Sequence, residues 1–320
     1  MQIWRRTPLD GILLSVSLVH LVVTLWTVTA WAEASLLGRM AILGVLVAMM
    51  VYDTIVVAHV FSHSPWFRSR KLNGLASVLC SLNIGQSAQL YCFDHVRNHH
   101  VFNNDRVGPD GTTCDTSSTF RGGSNGDHIG VLAYAFGRAA VSFFGVLRDF
   151  ASVVSWWRVS PADPMAALAA PEPRRGDREL RQVQWDRAVV AIALAAYAIV
   201  SPGWFLLAYL PAFYLTLALV NVQNYYEHFG ARPRDRYGDS VSHYGHLYNL
   251  LTFNDGYHQE HHLRPGAHWR RLPSVRRSCT KAWVGRQRVT SPVPAIVGFL
   301  DRRRVRLDRG DDEAAKERLR

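Results

Sequence analysis

Long apolar stretches alternate with polar, charged segments along the chain. The first runs from Ile12 to Trp31, and the second, from Met40 to Val60, is almost wholly apolar but contains Asp53. A third, Ala188 to Val222, is interrupted by Ser-Pro-Gly at 201–203. A helix needs about 20 apolar residues to cross the bilayer core, so the third stretch accommodates two helices. The pattern predicts an all-α integral membrane protein with about four transmembrane helices, at 10–32, 39–60, 187–201 and 204–226.

Two further apolar stretches could be mistaken for spans. The stretch Asn73 to Phe93 is diluted by polar side chains, and Val131 to Leu147 carries Arg138 near its middle. An arginine at the bilayer centre costs about 2.5–3.5 kcal/mol. We therefore expect both stretches to be helices that are buried against the protein or lie in the membrane interface. Trp156 and Trp157 would anchor the second.

The basic residues concentrate beside the predicted spans and account for the net charge of +11. No nucleic-acid motif accompanies them, so we expect no nucleic-acid partner. The positive-inside rule explains them better and places both termini and all large loops in the cytoplasm of, we expect, a bacterial inner membrane. The flanking residues are Arg5, Arg6, Arg68, Arg70, Lys71, Arg174, Arg175, Arg178, Arg181, Arg232, Arg234 and Arg236.

The remaining segments complete a single predicted domain over residues 1–320. Residues 161–186 are rich in proline, alanine and arginine and are predicted to be a cytoplasmic linker. Residues 300–320 are predicted to be a charged tail. The four cysteines form no close pair, which favours neither a disulfide framework nor a thiolate metal site.

Histidine is concentrated at the predicted cytoplasmic ends of the spans. His59 and His63 are four residues apart where the second span ends, and His95 and His99 repeat that spacing. The i,i+4 spacing puts two imidazoles on one helix face. Of the 14 histidines, nine fall in four such clusters, and we predict that all nine are metal ligands. They are His59, His63, His95, His99, His100, His228, His258, His261 and His262.

So many half-buried imidazoles need partners for their ring nitrogens, and metal satisfies many of them at once. Nine nitrogens exceed what one ion takes, so two ions are expected. Neutral imidazole suits zinc, copper, iron or nickel, and composition does not choose among them. A membrane metal transporter is a remote alternative. It would need ionisable residues along the spans, where only His20 and Asp53 lie.

The four clusters together resemble the histidine boxes of the membrane fatty acid desaturase superfamily, which includes alkane monooxygenases and carotenoid ketolases. The matching motifs are His-x-x-x-His at 59–63, Asp-His-x-x-x-His-His at 94–100 and His-x-x-His-His at 258–262. The segment Asn224 to Gly230 is similar to an extra motif of the alkane monooxygenases. Val60 departs from the pattern, because the first histidine of box one is often followed by glutamate.

The resemblance implies a membrane-bound non-haem diiron oxidoreductase, with two iron ions and O2 as co-substrate, that desaturates a fatty acyl chain. Hydroxylation or ketolation of an alkane, fatty acid or isoprenoid is the alternative, because one oxidant can serve all these reactions. No cytochrome b5 motif, His-Pro-Gly-Gly, is present. We therefore expect a separate electron donor, a ferredoxin, rubredoxin or similar protein with its reductase. The active site is expected on the cytoplasmic side.

A histidine shell also needs acceptors for the ring N–H groups that face away from the metal, because these acceptors orient each ring. Carboxylates adjacent to the boxes are the candidates for this second shell. His246 is a possible extra ligand, and Asp53 is expected to serve helix packing or a substrate pocket. The candidate carboxylates are Asp94, Glu227, Asp255 and Glu260.

Overall fold

The computed structural model describes residues 2–154 and 166–310. Over these residues the regular secondary structure is helical, and the only β-type pairings are two isolated bridges. The all-α prediction is therefore confirmed.

Four helices have the length and apolar composition needed to cross a membrane. Two short helices follow α2, and a longer one, α5, precedes the second pair of long helices. The helices nearer the C-terminus are short and are joined by irregular segments. The helices are α1 Asp10–Ala30, α2 Leu36–His63, α3 Arg70–Ile84, α4 Ala88–Cys92, α5 Val131–Val154, α6 Pro173–Val200, α7 Pro202–His228, α8 His246–Leu251, α9 His258–Leu263 and α10 Leu272–Trp283.

The start of α6 differs from the predicted linker. The helix begins at Pro173, because the Glu172 carboxylate accepts hydrogen bonds from the backbone N–H groups of Arg174 (3.1 Å) and Arg175 (2.7 Å). An N-terminal cap followed by proline is a strong helix start. Residues 173–186 are therefore helical. Trp156, Trp157 and residues 311–320 of the predicted tail lie outside the described residues.

The stretch predicted as a non-spanning segment at 73–93 is broken rather than continuous. Gly85 ends α3 in the left-handed conformation (φ 70°), and α4 begins three residues later. The second doubtful stretch forms α5, whose apolar part, Val131–Val146, is shorter than the four candidate spans. Both stretches are thus helices that fall outside the set of candidate spans.

The chain divides into two compact units. We call residues 1–94 and 139–218 the span unit, and residues 95–138 and 219–320 the histidine unit. The core of the span unit is apolar and aromatic, with Leu46, Met50, Trp204 and Tyr209 among its buried side chains. Trp204 satisfies its indole N–H by donating to Thr27 Oγ1 (3.2 Å).

Asp53 is the centre of a buried polar network in the span unit. Its Oδ2 lies 2.6 Å from His20 Nδ1, and its Oδ1 accepts from Asn83 Nδ2 (3.3 Å). The Asn83 amide also donates to the backbone oxygen and the hydroxyl of Ser17, both at 2.8 Å. A charge in an apolar helix persists only when it is paired. The contacts of Asp53 therefore assign it to the packing of α1, α2 and α3.

A second buried carboxylate was not anticipated from the sequence. Asp186 of α6 accepts hydrogen bonds from Ser77 (2.9 Å), Ser87 (3.0 Å), the Gln89 backbone (3.1 Å) and Gln182 (2.8 Å). These donors lie on α3, at the start of α4 and on α6 itself. The apolar spans thus contain two polar junctions that fix the mutual positions of their helices.

Candidate metal centre

Two histidines of the second box lie in a π-helix, Phe93–His99, and the third, His100, directly follows it. In a π-helix the backbone bonds run from i to i+5, so a residue five positions on lies one turn away. His95 Nε2 accordingly lies 3.1 Å from His100 Nε2, while the rings of His95 and His99 stack at 5.4 Å. The π-helical turn thus brings His100 beside His95, whereas a regular α-helix would place a residue five positions on about 140° away around the helix axis.

The third box forms α9, whose six residues are all buried. Glu260 fixes this helix from the side away from the histidines. Its Oε2 accepts from Ser242 Oγ (3.0 Å) and its Oε1 from Tyr244 O–H (2.8 Å). The three box histidines at 258, 261 and 262 share the opposite face, as i, i+3 and i+4 positions do. The contacts of Glu260 therefore position the helix rather than orient a histidine ring.

Four histidines form an enclosed cluster in the histidine unit. Their ligand nitrogens all lie within 4.8 Å of one another, and all four residues are buried. His228 Nε2 lies 3.1 Å from His99 Nε2 and 3.5 Å from His258 Nε2. Two nitrogens that each bind an ion at about 2.1 Å, at a right or tetrahedral angle, are about 3.0–3.4 Å apart. The enclosed cluster, His99, His228, His258 and His262, therefore has the spacing of a coordination sphere.

The outward nitrogens of these rings have acceptors. His99 Nδ1 lies 2.8 Å from Asp115 Oδ2, and His228 Nδ1 lies 3.1 Å from the Asp239 backbone oxygen. His262 Nδ1 lies 2.8 Å from Asn103 Oδ1. Because an oxygen of this kind only accepts, each Nδ1 carries the proton and each Nε2 keeps its lone pair.

His262 Nε2 is buried and has no hydrogen-bond partner among the described residues. A buried polar atom without a partner is rare and calls for an ion or another ligand. Burial lowers the pKa of His262 well below its ordinary value, and the neighbouring histidines lower it further. The ring is therefore neutral, which is the form that binds a metal.

Asp115 is held as a carboxylate. Burial by itself would raise its pKa, but His99, Ser117 and the Asn104 backbone N–H lower that pKa well below the usual range. Burial raises the pKa of Asp239 to about 7, against a hydrogen bond from Ser240 that lowers it. Asp115 thus provides a permanent negative charge behind His99, whereas Asp239 orients His228 through its backbone.

A second cluster adjoins the first in the histidine unit. The rings of His100 and His261 are 4.6 Å apart, and those of His95 and His261 are 6.1 Å apart. The His100 ring also lies 4.3 Å from that of His262, which belongs to the enclosed cluster. Two neighbouring groups of imidazoles are compatible with two metal ions.

The comparisons with known proteins agree with this geometry. The model of the family described as fatty acid desaturase matches residues 34–289, which is most of the chain. The chain belongs to the fatty acid desaturase family. It is also similar to a sphingolipid delta(4)-desaturase of Candida albicans (strain SC5314 / ATCC MYA-2876), with 45% identity over 62 residues. That match covers 19% of this chain and 16% of the relative. No solved structure matches.

The family match and the four apolar helices of the described chain together fit an integral membrane protein. The first box, His59 and His63, belongs to the span unit, where the two rings are 5.2 Å apart at the end of α2. A six-residue π-helix, Asp53–Ala58, immediately precedes His59. The assignment of this pair to the metal centre stays a prediction.

The other predicted site residues lie in several places. Glu227 Oε1 lies 3.5 Å from His258 Nδ1 and accepts from Gln223 Nε2 (2.8 Å). Gln223 also donates to Asp255 (2.9 Å), so it joins these two carboxylates behind the third box. The role of Asp94, the second residue of the π-helix, stays a prediction. His246 is exposed and, among the described residues, is not one of the clustered histidines.

Residues 304–308 form a clasp against the end of α7. Leu307 N–H donates to the Gly230 backbone oxygen (2.9 Å), and Arg304 donates to the Tyr226 backbone oxygen. Arg306 pairs with Asp127 and with Asp308 (2.7 Å). Gly230 has φ of 86°, and a Cβ there would lie 2.5 Å from the Val305 oxygen, so only glycine fits. The 304–308 clasp therefore braces the chain on both sides of His228.

Proposed function

We propose that this member of the fatty acid desaturase family is a membrane-bound non-haem diiron enzyme that introduces a double bond into a fatty acyl chain. The observation that carries the proposal is the enclosed cluster, whose ring nitrogens converge while Asp115, Asp239 and Asn103 accept from the outward nitrogens of three rings. An all-nitrogen shell with carboxylate and carbonyl support suits a redox metal such as iron.

The nine box histidines divide naturally between two ions. The enclosed cluster would hold one ion. The second cluster, His95, His100 and His261, would hold the other, completed by His59 and His63 of the first box as the motif pattern implies. When bound, the iron pair supplies the redox chemistry by which O2 attacks an unactivated C–H bond. Acceptors hold the Nδ1 protons of His99, His228 and His262 outward. Burial lowers the pKa of His262, which keeps this ring neutral.

The reaction balances with an external donor. A saturated –CH2–CH2– unit gives up two hydrogens to become –CH=CH–, and two electrons come from a separate carrier with two protons from water. O2 takes up all four electrons and leaves as two water molecules. The carrier would be a ferredoxin, rubredoxin or similar protein with its reductase.

Exposed arginines of the histidine unit provide a docking face for such an acidic carrier. Arg270, Arg271 and Arg277 are exposed, and Arg276 stacks on Tyr244 at 3.4 Å from the ring centroid. Long-range attraction between charged surfaces is screened by salt. The rate of reduction should therefore fall as ionic strength rises, and a salt-independent rate would rule out charge-steered docking.

We also propose that the metal centre faces the cytoplasm of a bacterial inner membrane, because arginines flank the ends of the spans at which the boxes lie. Single cysteines placed beside His63, His100 and Tyr257 in a cysteine-free variant would be labelled from one side. Labelling of any two from opposite sides would refute a single cytoplasmic centre.

Metal analysis and product analysis together test the function. Protein made in iron-replete cells should contain close to two irons per chain, and a stoichiometric zinc content without redox activity would refute the proposal. Mass spectrometry of lipids from cells with and without the gene should show an acyl product lighter by two hydrogens. A product heavier by one oxygen would instead establish the hydroxylase alternative, and a product that gains one oxygen and loses two hydrogens would establish the ketolase alternative.

A further inference from the structure

A basic cavity lies in the span unit where α1 begins, α2 ends and α3 begins. Its volume is about 580 Å³, which is within the range of about 300–1,000 Å³ that small-molecule sites occupy. The metal centre does not account for it, because no box histidine lines it. The lining residues are Arg5, Arg6, Phe67, Arg68, Arg70 and Asn73.

The wall of the cavity is built by backbone pairing rather than by loose side chains. Arg5 N–H donates to the Trp66 oxygen (2.7 Å), Arg68 N–H donates to the Ile3 oxygen (3.0 Å), and the rings of Trp4 and Phe67 stack at 5.0 Å. The Asn73 side chain then ties this pairing to α3, since it bonds both the N–H (2.9 Å) and the oxygen (2.8 Å) of Phe67. The cavity is therefore preorganised.

The charge of the cavity is uncompensated. Among residues 2–154 and 166–310, none of the ion pairs involves Arg5, Arg6, Arg68 or Arg70. The 15-residue helix α3 begins at Arg70, and a helix N-terminus adds partial positive charge. Guanidinium groups bind phosphate oxygens in pairs, so the anion that these arginines fit best is a phosphate.

The surroundings favour a phosphate that is attached to a lipid. Ile3 (57% exposed) on one side and Leu75 (66% exposed) on the other present apolar surface beside the cavity. The cavity lies where the apolar helix α1 begins and α2 ends, and if these helices cross the membrane their ends lie at the bilayer surface. Basic clusters next to a transmembrane helix attract anionic headgroups. We propose that this cavity binds the phosphate headgroup of an anionic membrane lipid.

The test compares lipid selection by the full-length protein in nanodiscs of mixed phosphatidylglycerol and phosphatidylcholine. Native mass spectrometry should show phosphatidylglycerol enriched on the wild-type protein. The double variant Arg5→Gln/Arg70→Gln should lose about 100-fold of that preference, because each substitution removes a charge-assisted hydrogen bond to the phosphate that is worth about tenfold. Arg68 is left intact, because its side chain donates to Gln2 Oε1 (2.7 Å) and supports the wall.

The matched control is Arg174→Gln/Arg178→Gln, which removes two exposed arginines from the start of α6 and should keep the enrichment. Equal loss in both variants would show general surface attraction and refute the site, as would a wild-type protein with no preference. Thermal stabilisation by inorganic phosphate in neutral detergent, without lipid enrichment, would show a site for a free anion instead. If the double glutamine variant does not fold, the double variant Arg5→Lys/Arg70→Lys is compared with the wild type in the same nanodiscs. If the site requires guanidinium groups, this lysine variant should show severalfold weaker phosphatidylglycerol enrichment although its net charge is unchanged. Undiminished enrichment would refute the proposed site.

Discussion

Replacing Asp115 by asparagine should loosen the metal without changing any predicted ligand. The carboxylate accepts four hydrogen bonds: from His99 Nδ1 (2.8 Å) and the Asn104 N–H (2.7 Å) on one oxygen, and from the N–H and hydroxyl of Ser117 (both 2.7 Å) on the other. An asparagine keeps one oxygen and replaces the other by an NH2 group. Whichever way the amide is turned, at least one of these backbone or ring donors then faces another donor.

The less costly response is a change of tautomer at His99. If the NH2 group faces Nδ1, the ring can move its proton to Nε2, where it blocks the lone pair that points at His228 Nε2 (3.1 Å). Loss of an outer-shell partner lowers metal affinity by about 10–100-fold. Loss of a hydrogen bond to a charged group should also lower the free energy of unfolding by about 1.5–3 kcal/mol.

Chelator competition measures the effect directly. Wild-type and variant protein are loaded with ferrous iron under anaerobic conditions and titrated with a chelator, and the retained iron is counted by mass spectrometry. The control is Asp110→Asn in the same loop, because Asp110 is exposed and its carboxylate accepts from Thr112 (2.8 and 3.1 Å). Affinities of Asp115→Asn and wild type that agree within about twofold would refute the orienting role of Asp115.

Three further results are expected. His228→Ala should lose more iron and activity than the 10–100-fold typical of outer-shell changes, whereas the exposed His246→Ala should retain both, and the reverse order would reassign the ligand. Asp53→Ala should cost about 3–5 kcal/mol of unfolding free energy in detergent, because it leaves His20 buried without its partner, and a cost below about 1 kcal/mol would contradict this. Burial alone would raise the pKa of Asp127, but hydrogen bonds from Arg309 and Arg306 lower it to about 2. Stability from this group should thus be full above about pH 4 and lost between about pH 4 and 2, and unfolding of Asp127→Asn should show a flatter acid slope.

The sequence was most informative where a single property decides the structure. Apolar length alone identifies the four candidate spans, because the bilayer imposes that length whatever the detailed sequence is. The four residues of the enclosed cluster were likewise among the predicted ligands, three through the spacing of their histidine boxes and His228 through its place at the end of a span, because so many clustered imidazoles need a common partner. These signals are local and need no knowledge of the tertiary structure.

The structural features that the sequence did not predict depend on the folded backbone and on contacts between residues that are separated along the chain. Asp115 lies in a polar loop 16 residues beyond His99, and nothing in that loop distinguishes it from Asp105 or Asp110 before folding. The π-helix at 93–99 has no compositional mark, because it differs from an α-helix only in hydrogen-bond register. The role of Asp186 as a buried hydrogen-bond acceptor was equally unpredictable, because its four donors come from three segments of the chain. The Glu172-Pro173 start of α6 was readable and was missed.

The 304–308 clasp sets an order of events during biosynthesis. The residues that brace Tyr226 and Gly230 on either side of His228 leave the ribosome about 75 residues after His228 does. Until then the four-imidazole pocket lacks one of its supports, and its histidines can bind any available ion in incomplete arrangements. We expect correct metal insertion to follow translation of the clasp, so that chains stalled before residue 304 would hold metal weakly and unselectively.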